Sequence, residues 1–290
     1  MNRRLALLVA LCWLALVPAA AAASTAAMAP PAAALAPASP LVRASDGRLL
    51  APDIARIVGR GALVVALSKI ESPPFFSDQG GHLHGTDIDL VQAIAAELGV
   101  PARFERTATA DVAVDMVGNG QADLAVGRIG RTIRRSQMVL FSTPYQSLAH
   151  AMLIHRVRFA ELYGKRPLTE VMRGFTGAIG VIDGTSWVDN AQRDFPAAPL
   201  RRYRDWSALV DAVRRGDVVA AYRDELAVRA VLVNDPRLAL HLRTVTFSDA
   251  HVSLSVVAGV RDTTLVGFVN EVIAVRSRHA GTAGVPQKGK

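Results

Sequence analysis

The chain has 290 residues, with 33 Lys and Arg against 25 Asp and Glu, a formal net charge of +8, and a composition 51% hydrophobic and 20% charged. That apolar fraction excludes a disordered chain, and a single cysteine, Cys12, excludes a disulfide scaffold and any cysteine-built zinc or iron–sulfur site. The mean hydropathy of +0.25 has a local cause, because most of the apolar excess sits in the first 40 residues.

Those residues read as an export signal. Asn2-Arg3-Arg4 is a short basic start, Leu5 to Val17 is an unbroken apolar run, and Ala19 to Ala23 supplies small residues for cleavage. The run is too short for the ~20 residues that span a bilayer. Leu11 precedes Cys12 where lipidation needs a small residue, so the expected product is unlipidated, with residues 1–23 removed. Residues 24–51 are Ala/Pro-rich at first and carry no periodic apolar face, which predicts a flexible tether.

From Ala51 onward, short β-rich runs alternate with amphipathic helices. Ala62 to Leu67 is a buried strand by pattern, and Gly80-Gly81 and Gly85 bracket a hairpin tip. Thr86 or Asp87 caps a helix through Leu98, with Ile88, Val91, Ile94, Ala95 and Leu98 on one face and Gly99 as its stop. A shorter helix, Val112 to Val117, leads into a strand, Asp123 to Gly127. A helical turn follows from Thr132 to Gln137, then apolar runs at Val139 to Phe141 and His150 to Ile154.

The pattern restarts at Ala178. Strands are predicted at Ala178 to Ile182, Val218 to Tyr222, Leu238 to Leu242 and Val252 to Val257. Helices are predicted from Ser186 to about Phe195, Asp205 to Arg215, Glu225 to Val233 and Leu265 to Val275, with a flexible tail at 278–290. Such alternation predicts an α/β protein with mostly parallel sheets, and the restart predicts two lobes.

Four segments, in order, resemble the type-3 extracellular solute-binding family, the polar amino-acid receptors of ABC importers. They are LVVALSKIESPPFF (63–76), GHLHGTDIDLVQAIAAELG (81–99), GQADLAVGRIGRTIRRSQMVLFSTPY (120–145), and GVIDGTSW (180–187) with GDVVAAYRDE (216–225). The resemblance implies a two-lobed periplasmic-binding-protein fold of type II, joined by two hinge crossings near 147–154 and 250–256. Lobe 1 would be 52–148 with 252–277, and lobe 2 would be 149–251. It also implies a periplasmic location, a monomer, no cofactor, and a permease as partner.

An amino acid presents a carboxylate and an ammonium a few ångströms apart, so its receptor needs a planar cation and an anion on rigid elements. Arg135 can grip a carboxylate through its fork, and the resemblance gives it that role. Asp224 matches the family acid that receives the ammonium, Thr132 the threonine that supports the loop, and Phe75 a wall of the site. Asp183-Gly184-Thr185-Ser186 opens a helix whose free N–H groups favour an anion. Singly, each has a plainer reading: Arg135 as solvated surface, Asp224 as the cap of the helix at Glu225, Thr185 or Ser186 as another cap. Together, in family order, they favour the site.

The chain departs from the family pattern at ligand-shaping positions. Gly130 replaces the usual Ser or Thr, Arg128 a small residue, Ser72 the stacking aromatic, and Lys69 an acid. The added positive charge favours an acidic amino acid or another dicarboxylate. His82 and His84 lack a third metal ligand nearby, Trp187 and Trp206 read as core, and Arg201 to Arg204 reads as a solvated loop without nucleic-acid contacts. The expected function is capture of a small polar solute, without catalysis. The alternatives are a cyclohexadienyl dehydratase-type enzyme on the same scaffold, with Glu225 and Glu71 as candidate acids, or a sensory module.

Overall fold

The computed structural model describes residues 41–283; the expected signal and the first part of the tether lie outside the described residues. In place of an irregular tether, the described chain opens with an antiparallel hairpin, β1 (Val42–Arg43) and β2 (Leu49–Leu50). Helix α1 (Pro52–Arg60) has proline in its first turn, where no N–H partner is needed, and Gly61 ends it at φ 74°. Strand β3 (Leu63–Ser68) is buried throughout, as its apolar run requires. The hairpin β4 (Ser77–Gln79) and β5 (His82–His84) turns at Gly80-Gly81. Helix α2 (Thr86–Leu98) starts with Gly85 at the cap. Neither Thr86 nor Asp87 caps it: Asp87 is drawn inward to bonds elsewhere.

Strand β6 (Ala102–Thr107) is partly polar and lies at a sheet edge, which is why no apolar run announces it. Helix α3 (Ala110–Gly118) is capped by Thr109, whose Oγ1 accepts from the Val112 N–H at 3.3 Å. Strand β7 (Leu124–Val126), a 3-10 turn at Arg135–Gln137 and strand β8 (Leu140–Phe141) follow. The long β9 (Gln146–His155) leads to α4 (Arg156–Tyr163), α5 (Leu168–Arg173) and β10 (Ile179–Ile182). Next come α6 (Ser186–Asp194), β11 (Leu200–Tyr203), α7 (Trp206–Arg215), β12 (Ala220–Asp224) and α8 (Glu225–Asn234). The run at Leu238 is a 3-10 turn, Pro236–Leu240, rather than a strand: Asp235 caps it, its side chain accepting from the Arg237 N–H, and Pro236 takes the first helical position, where no N–H is needed. Strand β13 (Leu242–Leu254) and β14 (Val257–Ala258) precede α9 (Thr263–Ala283), which carries helix into the segment expected as tail.

The strands form two five-stranded sheets, ordered β6-β3-β7-β14-β8 and β11-β10-β12-β9-β13. Both are mixed rather than mostly parallel. In the first, β3 runs parallel to β6 and β7, while β14 opposes β7 and β8; in the second, β9 opposes both β12 and β13. Arg201 to Tyr203 belong to the edge strand β11 instead of a loop, their backbone paired with β10.

Helices cover both faces of each sheet. Leu63, Val65 and Leu67 of β3 pack with Ile88, Val91 and Ile94 of α2 and with Leu265 and Val269 of α9. The alternate residues Val64 and Ala66 meet Ala113, Val114 and Val117 of α3. In the second sheet Ala151 and Leu153 of β9 pack with Leu209, Ala212 and Val213 of α7 and Val228 of α8. Each fully buried Leu or Val in these layers contributes about 1.5–3 kcal/mol. A buried carboxylate, Asp123, fastens α1 to the first sheet: it accepts from the Val64 N–H at 2.8 Å and pairs with Arg56 and Arg60.

Candidate functional site

In α/β sheets, loops at the carboxyl ends of parallel strands converge on one edge and form the natural site. Here those loops follow β3 and β7 in the first lobe and β10 and β12 in the second.

The loop after β7 is shaped by Asp87. Its Oδ2 accepts from the backbone N–H of Arg128 at 2.7 Å and of Gly127 at 3.2 Å, and from the Tyr145 hydroxyl at 2.9 Å. Burial pushes the Asp87 carboxyl up to about 6, against the pull of these donors. Arg128 sits at φ 58°, a left-handed conformation that costs a side-chain-bearing residue free energy. The N–H bond to Asp87 holds it there and aims its side chain across the cleft.

That side chain reaches the second lobe. The Arg128 guanidinium pairs with the Asp224 carboxylate, donates to Ser72 Oγ at 2.6 Å, and lies 5.0 Å from the centre of the Phe75 ring. Arg223 donates to the same Ser72 Oγ at 3.1 Å, approaches Asp224 at 3.6 Å, and rests 5.0 Å over the Trp206 ring. Burial, and then the neighbouring Arg223, hold Arg128 well below the usual guanidinium range; burial lowers Arg223 to about 10. Asp224 is wholly buried, and its Oδ1 accepts from the Ala227 N–H at 3.1 Å, capping α8. Its plainer reading as a helix cap is therefore realised, while its carboxylate also pairs with Arg128.

Arg135 is also wholly buried. Its Nε and Nη2 donate to Asp111 Oδ1 at 3.0 and 2.8 Å, and its Nη1 to the Gly130 carbonyl at 2.8 Å. Burial raises the Asp111 carboxyl, but Arg135 and Arg134 outweigh it and the net direction is down. Thr132 Oγ1 accepts from the Arg135 N–H at 3.2 Å.

The lobes touch across the cleft. The Asp111 N–H donates to the Gly184 carbonyl at 3.0 Å, and Arg134 bridges to Asp189 at 3.2 Å. A Cβ on Gly130 would stand 2.7 Å from Val252 Cγ2 and closer still to Ser186 Oγ, so only glycine allows this approach. Between the lobes remains a cavity of about 50 Å³, lined by Ser68, Ser72, Arg128 and Arg135 from one side and Thr185, Ser186, Trp187 and Arg223 from the other, among others.

The structure thus brings Arg128, Arg135, Thr185 and Ser186 to one cavity, with Gly130 and Asp224 beside it. Thr185 Oγ1 donates to the Ile182 carbonyl at 2.7 Å. Lys69 is not gathered in: it is exposed and lines a separate hollow with Glu71 and Asp183. Phe75 lies behind Arg128 and borders an outer cavity of about 760 Å³. Trp187, expected as core, is buried in the core and also lines the cavity, while Trp206, packed against the core of the second sheet, lies under Arg223. Sequence reasoning missed Arg223, Asp87 and Asp111. Arg223 carried a signal, because the pleat that turns Tyr222 to one face of β12 turns Arg223 to the other. Among the described residues no His/Asp/Glu group could hold a metal ion.

A membrane-bound lytic murein transglycosylase of Maricaulis maris is 34% identical over 106 residues, 36% of this chain but 23% of that protein, so the chain spans under a quarter of it. The L-cystine-binding protein of Escherichia coli K12 is 23% identical over 80% of this chain and 84% of its own length. Among solved structures, an amino acid ABC transporter substrate-binding protein of Streptococcus pneumoniae bound to L-arginine superposes with a TM-score of 0.64 at 24% identity, over 78% of this chain and 92% of that one. An ancestral amino acid-binding protein, a precursor of cyclohexadienyl dehydratase, gives 0.62 at 23% identity, over 78% and 93%. These likenesses establish the two-lobed fold of type II periplasmic binding proteins. Residues 63–274 match the bacterial extracellular solute-binding proteins, family 3, and the chain belongs to that family.

Proposed function

We propose that this solute-binding protein works in the periplasm, captures a small carboxylate-bearing solute between its lobes, and delivers it to an ABC importer. The carrying observation is the cavity itself, built from both lobes and lined by three guanidiniums and four hydroxyls. Guanidinium forks and hydroxyls are the groups that recognise carboxylates. In this reading Arg128, Arg135 and Arg223 supply charge, while Ser72, Thr185 and Ser186 supply directional hydrogen bonds. The amino-acid receptors among its relatives support the solute class.

The reading does without catalysis. Among the described residues lining the cavity there is no carboxylic acid, and Glu71 borders neighbouring hollows instead. A thermal-shift screen with amino acids and dicarboxylates tests the proposal, because a solute that binds the folded chain alone raises the midpoint by mass action. A rise that grows with the logarithm of concentration is expected for at least one carboxylate; a flat panel overturns the reading.

A further inference from the structure

We propose that the cleft selects a small dicarboxylate without an ammonium group, because Arg128 supplies from the protein the cation that an α-amino acid would bring to Asp224. This rests on the reading of the cavity as a solute site and narrows it.

The first observation is which groups face the cavity. Arg128, Arg135 and Arg223 line it, and among the described residues that line it there is no acid. A ligand ammonium placed there would lose its water and meet three cations, while the nearby carboxylates, Asp224 and Asp111, are already paired with arginines. An unpaired buried charge of that kind costs several kcal/mol. A carboxylate in the same place meets donors on every side.

The second observation is the state of Asp224. Its Oδ2 is paired with Arg128 and its Oδ1 accepts the Ala227 N–H. A ligand ammonium would have to compete with the Arg128 guanidinium for that carboxylate.

The third observation is that Arg128 is seated, not passing. Its backbone is bonded to Asp87, its guanidinium is bonded to Ser72 and stacked near Phe75, and its left-handed φ is sustained by these contacts. Lifting the guanidinium from Asp224 to admit an ammonium would also give up its bond to Ser72 and its place against Phe75. The second cation, Arg223, is then the one with capacity for a distal carboxylate: it touches only Ser72 closely, and Asp224 is 3.6 Å away. Arg135, held by Asp111 through Nε and Nη2 and by the Gly130 carbonyl through Nη1, keeps one N–H on each Nη for the other carboxylate. The volume of about 50 Å³ admits roughly four water-sized groups. That is less than any dicarboxylate fills, so the lobes must part to admit one, and they part less for a compact acid such as succinate than for a longer one.

The test is calorimetric titration of the mature protein at neutral pH with succinate, glutarate, aspartate and glutamate, on wild type and on Arg128→Gly. Glycine accepts the φ at that position and removes the competing cation. Wild type is expected to bind succinate at least tenfold more tightly than aspartate, and glutarate more tightly than glutamate. In Arg128→Gly, Asp224 is freed, and the succinate-to-aspartate ratio is expected to fall at least tenfold. Aspartate binding as tightly as succinate to wild type, or an unchanged ratio in a folded variant, overturns the proposal and leaves the solute reading standing. Absence of binding by all four acids, together with a flat thermal-shift panel, overturns both. The wild-type ratio decides alone if the variant does not fold.

Discussion

The backbone N–H of Asp111 bonds to the carbonyl of Gly184, and the Asp111 carboxylate holds the fork of Arg135. One residue therefore ties the lobes together and anchors the arginine expected to grip ligand. Closure and the readiness of Arg135 are coupled through it.

Arg135→Ala is expected to destabilise the fold by about 3 kcal/mol, the lower end for breaking a buried ion pair, since Asp111 keeps some solvent contact. An arginine reserved for ligand would leave stability untouched on removal. Urea unfolding of the variant, with the same slope as wild type, measures the difference, and a loss below ~1 kcal/mol would contradict the role given to Asp111.

Gly130→Ser restores a side chain where the lobes meet. The added atoms overlap Ser186 and Val252, and overpacking of that kind costs about 1–3 kcal/mol. Closure should weaken roughly tenfold or more, seen as a larger radius of gyration in solution scattering and a weaker affinity for whichever carboxylate binds. An unchanged scattering profile would show that the lobes adjust around the new side chain.

Asp87 predicts a pH effect with a definite sign. Its carboxyl is raised to about 6 by burial, from 3.8. Between those values the folded form holds a proton that the unfolded form has released, so stability declines as pH rises from about 4 to 6. A rise of that size corresponds to about 3 kcal/mol. Asp87→Asn should remove this decline, while costing stability overall through its weaker bonds to Arg128 and Tyr145. Parallel pH slopes for the two proteins in urea titrations would sink the idea.

A second acid works the other way. Asp194 accepts the Tyr222 hydroxyl at 2.8 Å and lies 3.4 Å from His150. Burial raises its carboxyl, but the bonds from His150, Arg193 and Tyr222 prevail and bring it to about 2. Its contribution is present above pH 4 and lost as pH falls through 2. Asp194→Asn should flatten that acid limb of the stability curve, leaving the Asp87 limb in place.

Much of this was legible in the chain. The strand at Leu63, the hairpin at Gly80-Gly81 and the helices at Thr86 and Glu225 follow from local periodicity and punctuation. The edge strands β6 and β11 were not, because one side of each is solvated and their polar residues hide the alternation. The site was legible in its residues and not in its pairings. Arg128 and Asp224 are almost a hundred positions apart, and nothing local says that one will neutralise the other. Lys69 misled for the same reason: a cation in a cleft-bordering loop counts only if the backbone turns it inward, and here it faces water.

The chain order of the first sheet sets a schedule. Strand β14 lies between β7 and β8, yet it is made after the whole second sheet. Arg56 then joins the beginning to the end, pairing with both Asp123 and Asp262, while Asp53 accepts the Leu265 N–H at 2.9 Å. The first lobe therefore has a missing centre until nearly all residues have emerged, and the second lobe, continuous in sequence, can condense ahead of it. A chain stopped before Val257 would leave β7 and β8 with open edges, the kind of surface that recruits other chains.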